Sequence, residues 1–412
     1  MIVNPGSTRM RASTAAIADP GPLTDFLDGS GAAFLRGQDG FIALGQMARL
    51  DDVSMDEADG WWEEFSAQIE NETEMPEAFG TGPIAYGSFT YDPARTSQRS
   101  CFVVPEVIVG RREGRCWVTR LGYDRVDPVL PERHGPATAP GRVRFETSEE
   151  ANQEWLDHFN RVKEYITAGR ADRVVLLRQL DALAEGELDP RWVLHRWRLG
   201  YGGSWAYLVS GLVGATHEVM VRRRGGLTVS RILAGSVQAL GGMDEATRTA
   251  QLLSSSERLS QHHHAVAAAA ESLSPFMTGM HVPRQPFALS LPDGLNLATD
   301  ICGVASPGHS CLALASALHP LASVTGSPLA AAREIIDETS TIDRGRFGAP
   351  VGWIDAQGDG EWFAALRACQ LGQRGGARLY ASATVSAGTS AHDKLVSTQV
   401  KLSQMRRLLT ER

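Results

Sequence analysis

Apolar and polar residues alternate in short runs along much of this chain, and glycine and proline cut the runs apart. From about residue 30 to 145 the alternating pieces are GAAFLRGQDGFIALGQMARL, GPIAYGSFTYDP, CFVVPEVIVG and GRCWVTRLGYD. A period of two predicts half-buried strands. Between them WWEEFSAQI, set in an acidic stretch, reads as helical. In TSEEANQEWLDHFNRVKEYITAGRA the period changes. Trp155, Phe159, Val162 and Ile166 recur at helical spacing, behind a cap-like Ser148-Glu149-Glu150 and ahead of a stop at Gly169. RVVLLRQLDA then has the β-branched density of a buried strand. WAYLVSGLVGA, HEVMVRRR and GLTVSRILAGS follow as strands. SERLSQHHHAVAAAAESLSPF reads as a helix, and SPLAAAREIIDE as another with Pro328 in its first turn. The last fifty residues predict strand, turn, strand, helix: GEWFAALRACQL and ARLYASATVS alternate, and Leu395, Leu402, Met405 and Leu409 then fall at near-helical spacing.

Strands in runs punctuated by helices predict an α+β fold, with two antiparallel sheets packed face to face and helices outside, instead of an alternating parallel sheet. Residues 1–22, small and polar, read as a disordered leader, and 23–412 as a single domain. Arg222-Arg223-Arg224 before Gly225-Gly226 reads as a solvated hairpin end.

Composition narrows the function classes. Of 412 residues, 43% are hydrophobic and 21% charged, as in an ordinary globular protein. A net charge of −8 without a basic stripe argues against nucleic-acid binding. The five cysteines form no C-x-x-C pair, which fits reduced thiols and a cytoplasmic location. The start lacks the apolar core of a signal peptide, and no run of about 18 apolar residues predicts a membrane span. Phosphate-loop, nucleophile-elbow and zinc-helix motifs are missing. His262, His263 and His264 invite a metal assignment, but neighbours on a helix point about 100° apart and do not converge on one ion; a partly exposed helix face is the expectation.

Five blocks in order resemble the chorismate-utilising enzymes, the family of isochorismate, salicylate, anthranilate and aminodeoxychorismate synthases. AGRADRVVLLRQL is similar to AGD-x-x-KVVLAR. GATHEVMVRRRGGLTVSRILAGS is similar to GASPELLVR…VRSRPLAGT, and QLLSSSERLSQHH to LL-x-S-x-KDR-x-EH. LHPLASVTGSP is similar to LHPTPAVGGxP. IIDETSTIDRGRFGAPVGWIDAQGDGEWFAALR is similar to I-x-E-x-E-x-x-x-RGxYAGPVGWxDxxGDGEFxVAIR. The resemblance covers roughly 140–410 and implies the anthranilate synthase component I / isochorismate synthase-like fold. The triplet Leu233-Ala234-Gly235 resembles the isochorismate and salicylate branch, and no glutamine amidotransferase partner is expected.

What the resemblance implies for chemistry is uneven. The basic pair that would grip the enolpyruvyl carboxylate maps to Arg367 and Lys401, and an arginine fork suits a planar carboxylate. The general acid maps to Glu218, on a predicted strand, where burial would keep it protonated. Gly235 and Ser236 would line the substrate. Other positions depart from the family. Arg173 replaces the family lysine, and a guanidinium, which keeps its proton, is a poor general base, though it can orient water or an anion. The family's Mg²⁺ acids form two pairs at i and i+3, on one helix face each. Here they are Arg258 and Gln261, then Lys394 and Ser397, all non-acidic. Asn296 replaces a histidine, Ser382 the first glycine of GAGIV, and Ser340 a glutamate. Because Mg²⁺ requires hard oxygen donors, usually with one or two carboxylates, no metal and no other cofactor is expected.

The reading is a metal-independent enzyme of specialised metabolism acting on chorismate, isochorismate or a related anionic ring by elimination, isomerisation or pericyclic rearrangement. Glu218 and Arg173 would be catalytic. The alternatives are a catalytically silent ligand-binding homologue and an ordinary Mg²⁺-dependent isochorismate synthase.

Overall fold

The alternating runs form strands, and because each strand carries an apolar face the strands layer into two sheets. The computed structural model describes residues 9–238, 244–291 and 294–410. Among them, one sheet has 13 strands and the other 10. In the larger sheet Arg173–Ala184, Gly376–Ser386, Cys369–Leu371, Leu212–Thr216 and Trp205–Val209 are successive antiparallel neighbours. In the smaller, Gly294–Ala305, Leu227–Gln238, Val219–Arg224, Gly360–Ala364 and Pro350–Asp355 are. Aromatic side chains join the facing surfaces: Phe41 meets Trp353 edge-on at 5.5 Å, and Trp205 lies 5.2 Å from Phe363. The α+β architecture expected from the sequence is the one observed. None of the helices described is long and apolar enough to cross a membrane.

Helices cover the outer faces. In Glu149–Thr167, Trp155, Phe159, Val162 and Ile166 are buried against Val174, Leu176, Ala383 and Val385. Ser148 caps that helix by accepting a hydrogen bond from Ala151 N–H at 3.0 Å. With Val174 and Leu176 turned to the helix, strand alternation turns Arg173 to the opposite face, toward the second sheet.

GEWFAALRACQL is not one strand, as its alternation predicts, but two. Gly360–Ala364 lies in the smaller sheet and Cys369–Leu371 in the larger. The chain crosses between sheets at residues 365–368, where Arg367 takes a left-handed φ of 43°. Such a backbone costs about 1–3 kcal/mol and persists where its surroundings hold it. Trp197 Nε1–H donates to Arg367 O at 2.7 Å, and the Tyr207 hydroxyl to Leu366 O at 2.9 Å. A second crossing runs alongside: Leu212–Thr216 belongs to the larger sheet and Val219–Arg224 to the smaller. Glu218 therefore stands between strands and not within one. Ala364 N–H donates to Glu218 O at 3.1 Å, tying the two crossings together.

Two further expectations need correction. Residues 10–17 of the supposed leader form a strand, Met10–Ile17, parallel to Ile69–Thr73 and antiparallel to Arg115–Tyr123. Ala12 is buried, and Thr14 shares a 2.8 Å hydroxyl hydrogen bond with Thr119; small residues fill the slot without an obvious apolar signature. Residues 1–8 lie outside those described. The arginine run is not simply solvated. Arg222 and Arg112 both pair with Glu361, which has no solvent exposure, and Arg223 pairs with Asp359. Removing one partner of a buried ion pair leaves an uncompensated charge. Glu361→Ala is expected to cost about 3–5 kcal/mol in chemical denaturation, whereas an effect near zero would show these arginines to be surface charges.

Candidate active site

The two crossings, the start of the Arg173 strand and the last helix meet around a cavity of about 330 Å³ between the sheets. Arg173, Glu218, Gly235, Ser236, Asn296, Arg367, Ser382, Lys394, Ser397 and Lys401 all line it. Of the positions singled out in the sequence, Arg258 and Gln261 are not in the lining. They lie in the adjoining Ser256–Leu273 helix. The Arg258 backbone packs against Gly235, where an added Cβ would stand 3.3 Å from Arg258 O. Gln261 Nε2–H instead donates to Glu257 at 3.1 Å. Ser340 is at the end of Leu329–Thr339, away from this lining. A larger groove of about 760 Å³ under the Glu149–Thr167 helix is lined by Arg161, Arg178 and Arg406 but also by Glu146, Glu154 and Asp157, and holds none of these residues.

Local backbone geometry aims the side chains. The Leu227–Gln238 strand slips register against Gly294–Ala305 between Leu233 and Ser236, with Gly235 at φ 82°. A bulge with glycine in the left-handed region turns the following residue, and Ser236 lands opposite Asn296. The bulge is pinned by His262, wholly buried, whose ring nitrogens meet Ala234 O at 2.9 Å and Thr299 Oγ1 at 2.7 Å. His262 thus differs from the expected partly exposed face, while His263 and His264 are exposed and do not converge with it. In Ala391–Thr410, Lys394, Ser397 and Lys401 follow one another at i, i+3 and i+7, a single helix face. Lys401 Nζ donates to Ser382 O at 2.8 Å.

Among the described residues the charged side chains of the lining are mostly cationic. Arg173, Arg367, Lys394 and Lys401 line the cavity, against Glu218 and Asp393. Arg173 is 6% exposed, and its Nη2 is buried without a hydrogen-bond partner among the described residues. Burial pulls the Arg173 guanidinium below its ordinary value, partly offset by Asp172. Lys394 is likewise drawn down, first by burial and then by the charge of Arg258, with Asp393 opposing. Among the described residues no ion pair joins Arg173 or Lys394 to a carboxylate. Glu218, 5% exposed, is pushed up to about 7 by burial, against a hydrogen bond from Ser323 and the charge of Arg367. A carboxyl at that value is protonated often enough near neutrality to donate a proton.

The four positions mapped to the family's Mg²⁺ acids do not make a donor set for that ion. The mapped positions offer two cations, an amide and a hydroxyl where a hard dication needs carboxylate oxygens. No three His, Cys, Asp or Glu side chains gather into a metal-binding group among the described residues.

The lining also includes residues the sequence reading passed over: His217, Ser323 and Asp393. His217 adjoins Glu218, and its Nε2 meets Ser204 Oγ at 2.7 Å. Ser323 sits in LHPLASVTGSP at the place of the alanine in LHPTPAVGGxP, a visible departure that could have flagged it.

A carboxyl titrating higher in the fold than in the unfolded chain keeps a proton there that the unfolded chain gives up. Stability then falls as pH rises from about 4.5 to about 7. Relative to Glu218→Gln, the wild type is expected to lose roughly 3 kcal/mol across that window, measured by urea unfolding at a series of pH values. A difference independent of pH would mean Glu218 ionises as freely in the fold as outside it.

Known proteins similar to this chain share its fold and identify its family. A family model described as chorismate binding enzyme matches residues 34–410. The isochorismate synthase DhbC of Bacillus subtilis is 38% identical over 200 residues, 48% of this chain and 50% of that one, so the matched stretch spans half of that relative's length. A putative isochorismate synthase MenF of Mycobacterium tuberculosis is 30% identical over 339 residues, 79% of this chain and 86% of its own. Among solved structures, the putative 2,3-dihydroxybenzoate-specific isochorismate synthase DhbC from Bacillus anthracis superposes with a TM-score of 0.74 at 26% identity, covering 94% of this chain and 98% of that one. MenF from Escherichia coli gives 0.80 at 17% identity, covering 98% and 95%, a likeness of fold. With the family model spanning nearly the whole chain and the cavity built at its motifs, this chain belongs to the chorismate-binding enzyme family.

Proposed function

We propose that the protein is a metal-independent enzyme acting on chorismate, isochorismate or a related anionic ring, by elimination, isomerisation or pericyclic rearrangement in specialised metabolism. The observation that carries this reading is the set of cations around the cavity, with Arg173 Nη2 buried and without a hydrogen-bond partner among the described residues. A buried guanidinium group left without an acceptor is costly unless an anion completes it. Arg367 and Lys401 grip one carboxylate of the ligand, and Lys394, with the charge of Arg258 behind it, takes the other directly. Charge placement of this kind is strong in a site from which water is largely excluded.

Glu218 donates the proton to a departing oxygen. Arg173 orients the ring or a water and does not act as a base, because its guanidinium keeps its proton. The chemistry that suits such a site relies on folding and charge placement more than on water activation, which favours elimination of the enolpyruvyl group or a pericyclic step. A silent binding homologue would keep the cations without turnover.

Incubating the purified protein with chorismate, with and without EDTA, and resolving products by chromatography tests the proposal. Product formation unaffected by EDTA is expected. Turnover lost on chelation and restored by Mg²⁺ would contradict it, and no turnover under either condition would favour the silent homologue. Lys394→Glu, which places an anion against the ligand carboxylate, is expected to lower kcat/KM by at least about tenfold, an energetic loss of about 1.4 kcal/mol.

A further inference from the structure

Glu218 has two carboxyl oxygens, and the fold treats them differently. Ser323 Oγ donates to Oε1 at 2.5 Å. No described residue bonds Oε2, although the side chain lines the cavity. We infer that Ser323 is a positioning residue for Glu218: its hydroxyl occupies Oε1 and leaves the transferable proton on Oε2, the oxygen open to the ligand. This rests on the reading of Glu218 as the proton donor.

The serine is itself held rigidly. Its turn closes through Val324 N–H and Thr325 N–H donating to Leu321 O, both at 3.1 Å, and Gly326 N–H donating to Ala322 O at 3.0 Å. Arg344, buried and without a carboxylate partner among the described residues, donates to Val324 O at 2.7 Å and to Val175 O of the Arg173 strand. Thr325 shares a 2.8 Å hydroxyl hydrogen bond with Tyr91, and Val175 N–H donates to Thr325 O at 2.9 Å. The turn that carries Ser323 and the strand that carries Arg173 are thus locked together. A hydroxyl so fixed pays little further ordering entropy when it bonds the carboxyl.

The chemistry follows from one hydroxyl proton. While Ser323 donates to Oε1, that oxygen behaves as the carbonyl of the neutral acid, and the acidic hydrogen resides on Oε2. Transfer of that hydrogen to a leaving oxygen leaves a carboxylate that Ser323 still bonds, and a hydrogen bond to a charged group is stronger than one to a neutral group. Ser323 therefore favours the product of proton transfer as well as the orientation before it. Among the described residues, the other charged and titratable groups around Glu218 are its neighbour His217, Arg367 on the antiparallel crossing, Arg173 at the start of its strand, and Lys394, Lys401 and Asp393 on the last helix. Of these, the charge of Arg367 also favours the carboxylate.

The protonation of Glu218 can be read without turnover. In pH-difference infrared spectra, the carbonyl stretch of the neutral Glu218 carboxyl is the band that Glu218→Gln removes. Its midpoint in the wild type is expected near 7. Ser323→Ala, which installs the family's own residue, is expected to raise it by about one pH unit, the size of a charge-assisted hydrogen bond. Ser323→Thr, which keeps the hydroxyl, is expected to restore the wild-type midpoint, and Ser323→Ala is expected to unfold like the wild type. An unmoved midpoint in a folded Ser323→Ala protein, or the absence of any band that Glu218→Gln removes, would overturn the inference. Chorismate binding and turnover do not enter the measurement, so failure of the proposed function would leave the shift intact and failure of the shift would leave the proposed function to its own assay.

Discussion

The site depends on two stretches of chain that leave one sheet and enter the other side by side. At residues 217–218 and 365–368 the backbone breaks from strand geometry, and hydrogen bonds from Ala364, Trp197 and Tyr207 fix the breaks. An acid and an arginine placed on regular strands would be committed to a sheet face. Placed on the crossings, they line the cavity between the sheets, where charge is screened less than in bulk water. The left-handed backbone of Arg367 is the local strain this arrangement tolerates.

Around that frame the balance of charge has changed sign relative to what the family motifs imply. Four acidic positions on two helices carry Arg258, Gln261, Lys394 and Ser397. In the fold Lys394 and Ser397 face the cavity, Arg258 backs the Gly235 bulge and influences Lys394, and Gln261 turns to Glu257. Among the described residues Arg173 Nη2 lacks a hydrogen-bond partner, and burial draws Lys394 down; on the proposed function a dianionic ring would relieve both costs at once.

Much of this was legible in the sequence. The period-two runs and the helical spacing of Trp155 to Ile166 read directly, because each reflects a one-sided demand for burial. Motif order brought Arg173, Glu218, Arg367, Lys394 and Lys401 to one place, since strand register and helix phase carry each motif as a unit. The break in GEWFAALRACQL was hidden because small apolar residues suit a strand and a crossing equally well. Met10–Ile17 was missed for a related reason: its small polar residues are placed by pairing partners far away in sequence. Ser323 depends on a turn meeting a crossing 105 residues apart, a contact that periodicity does not encode, and the buried partners of Arg222 and Arg223 are equally remote.

The central claim is that fixed side-chain cations hold the ligand's carboxylates where the family motifs imply a divalent ion. Calorimetric titration of chorismate into protein stripped of divalent metal, repeated with Mg²⁺ added, tests it most directly. Binding to the metal-free protein is expected, with a Kd that Mg²⁺ leaves unchanged. Binding that appears only when Mg²⁺ is present would contradict it.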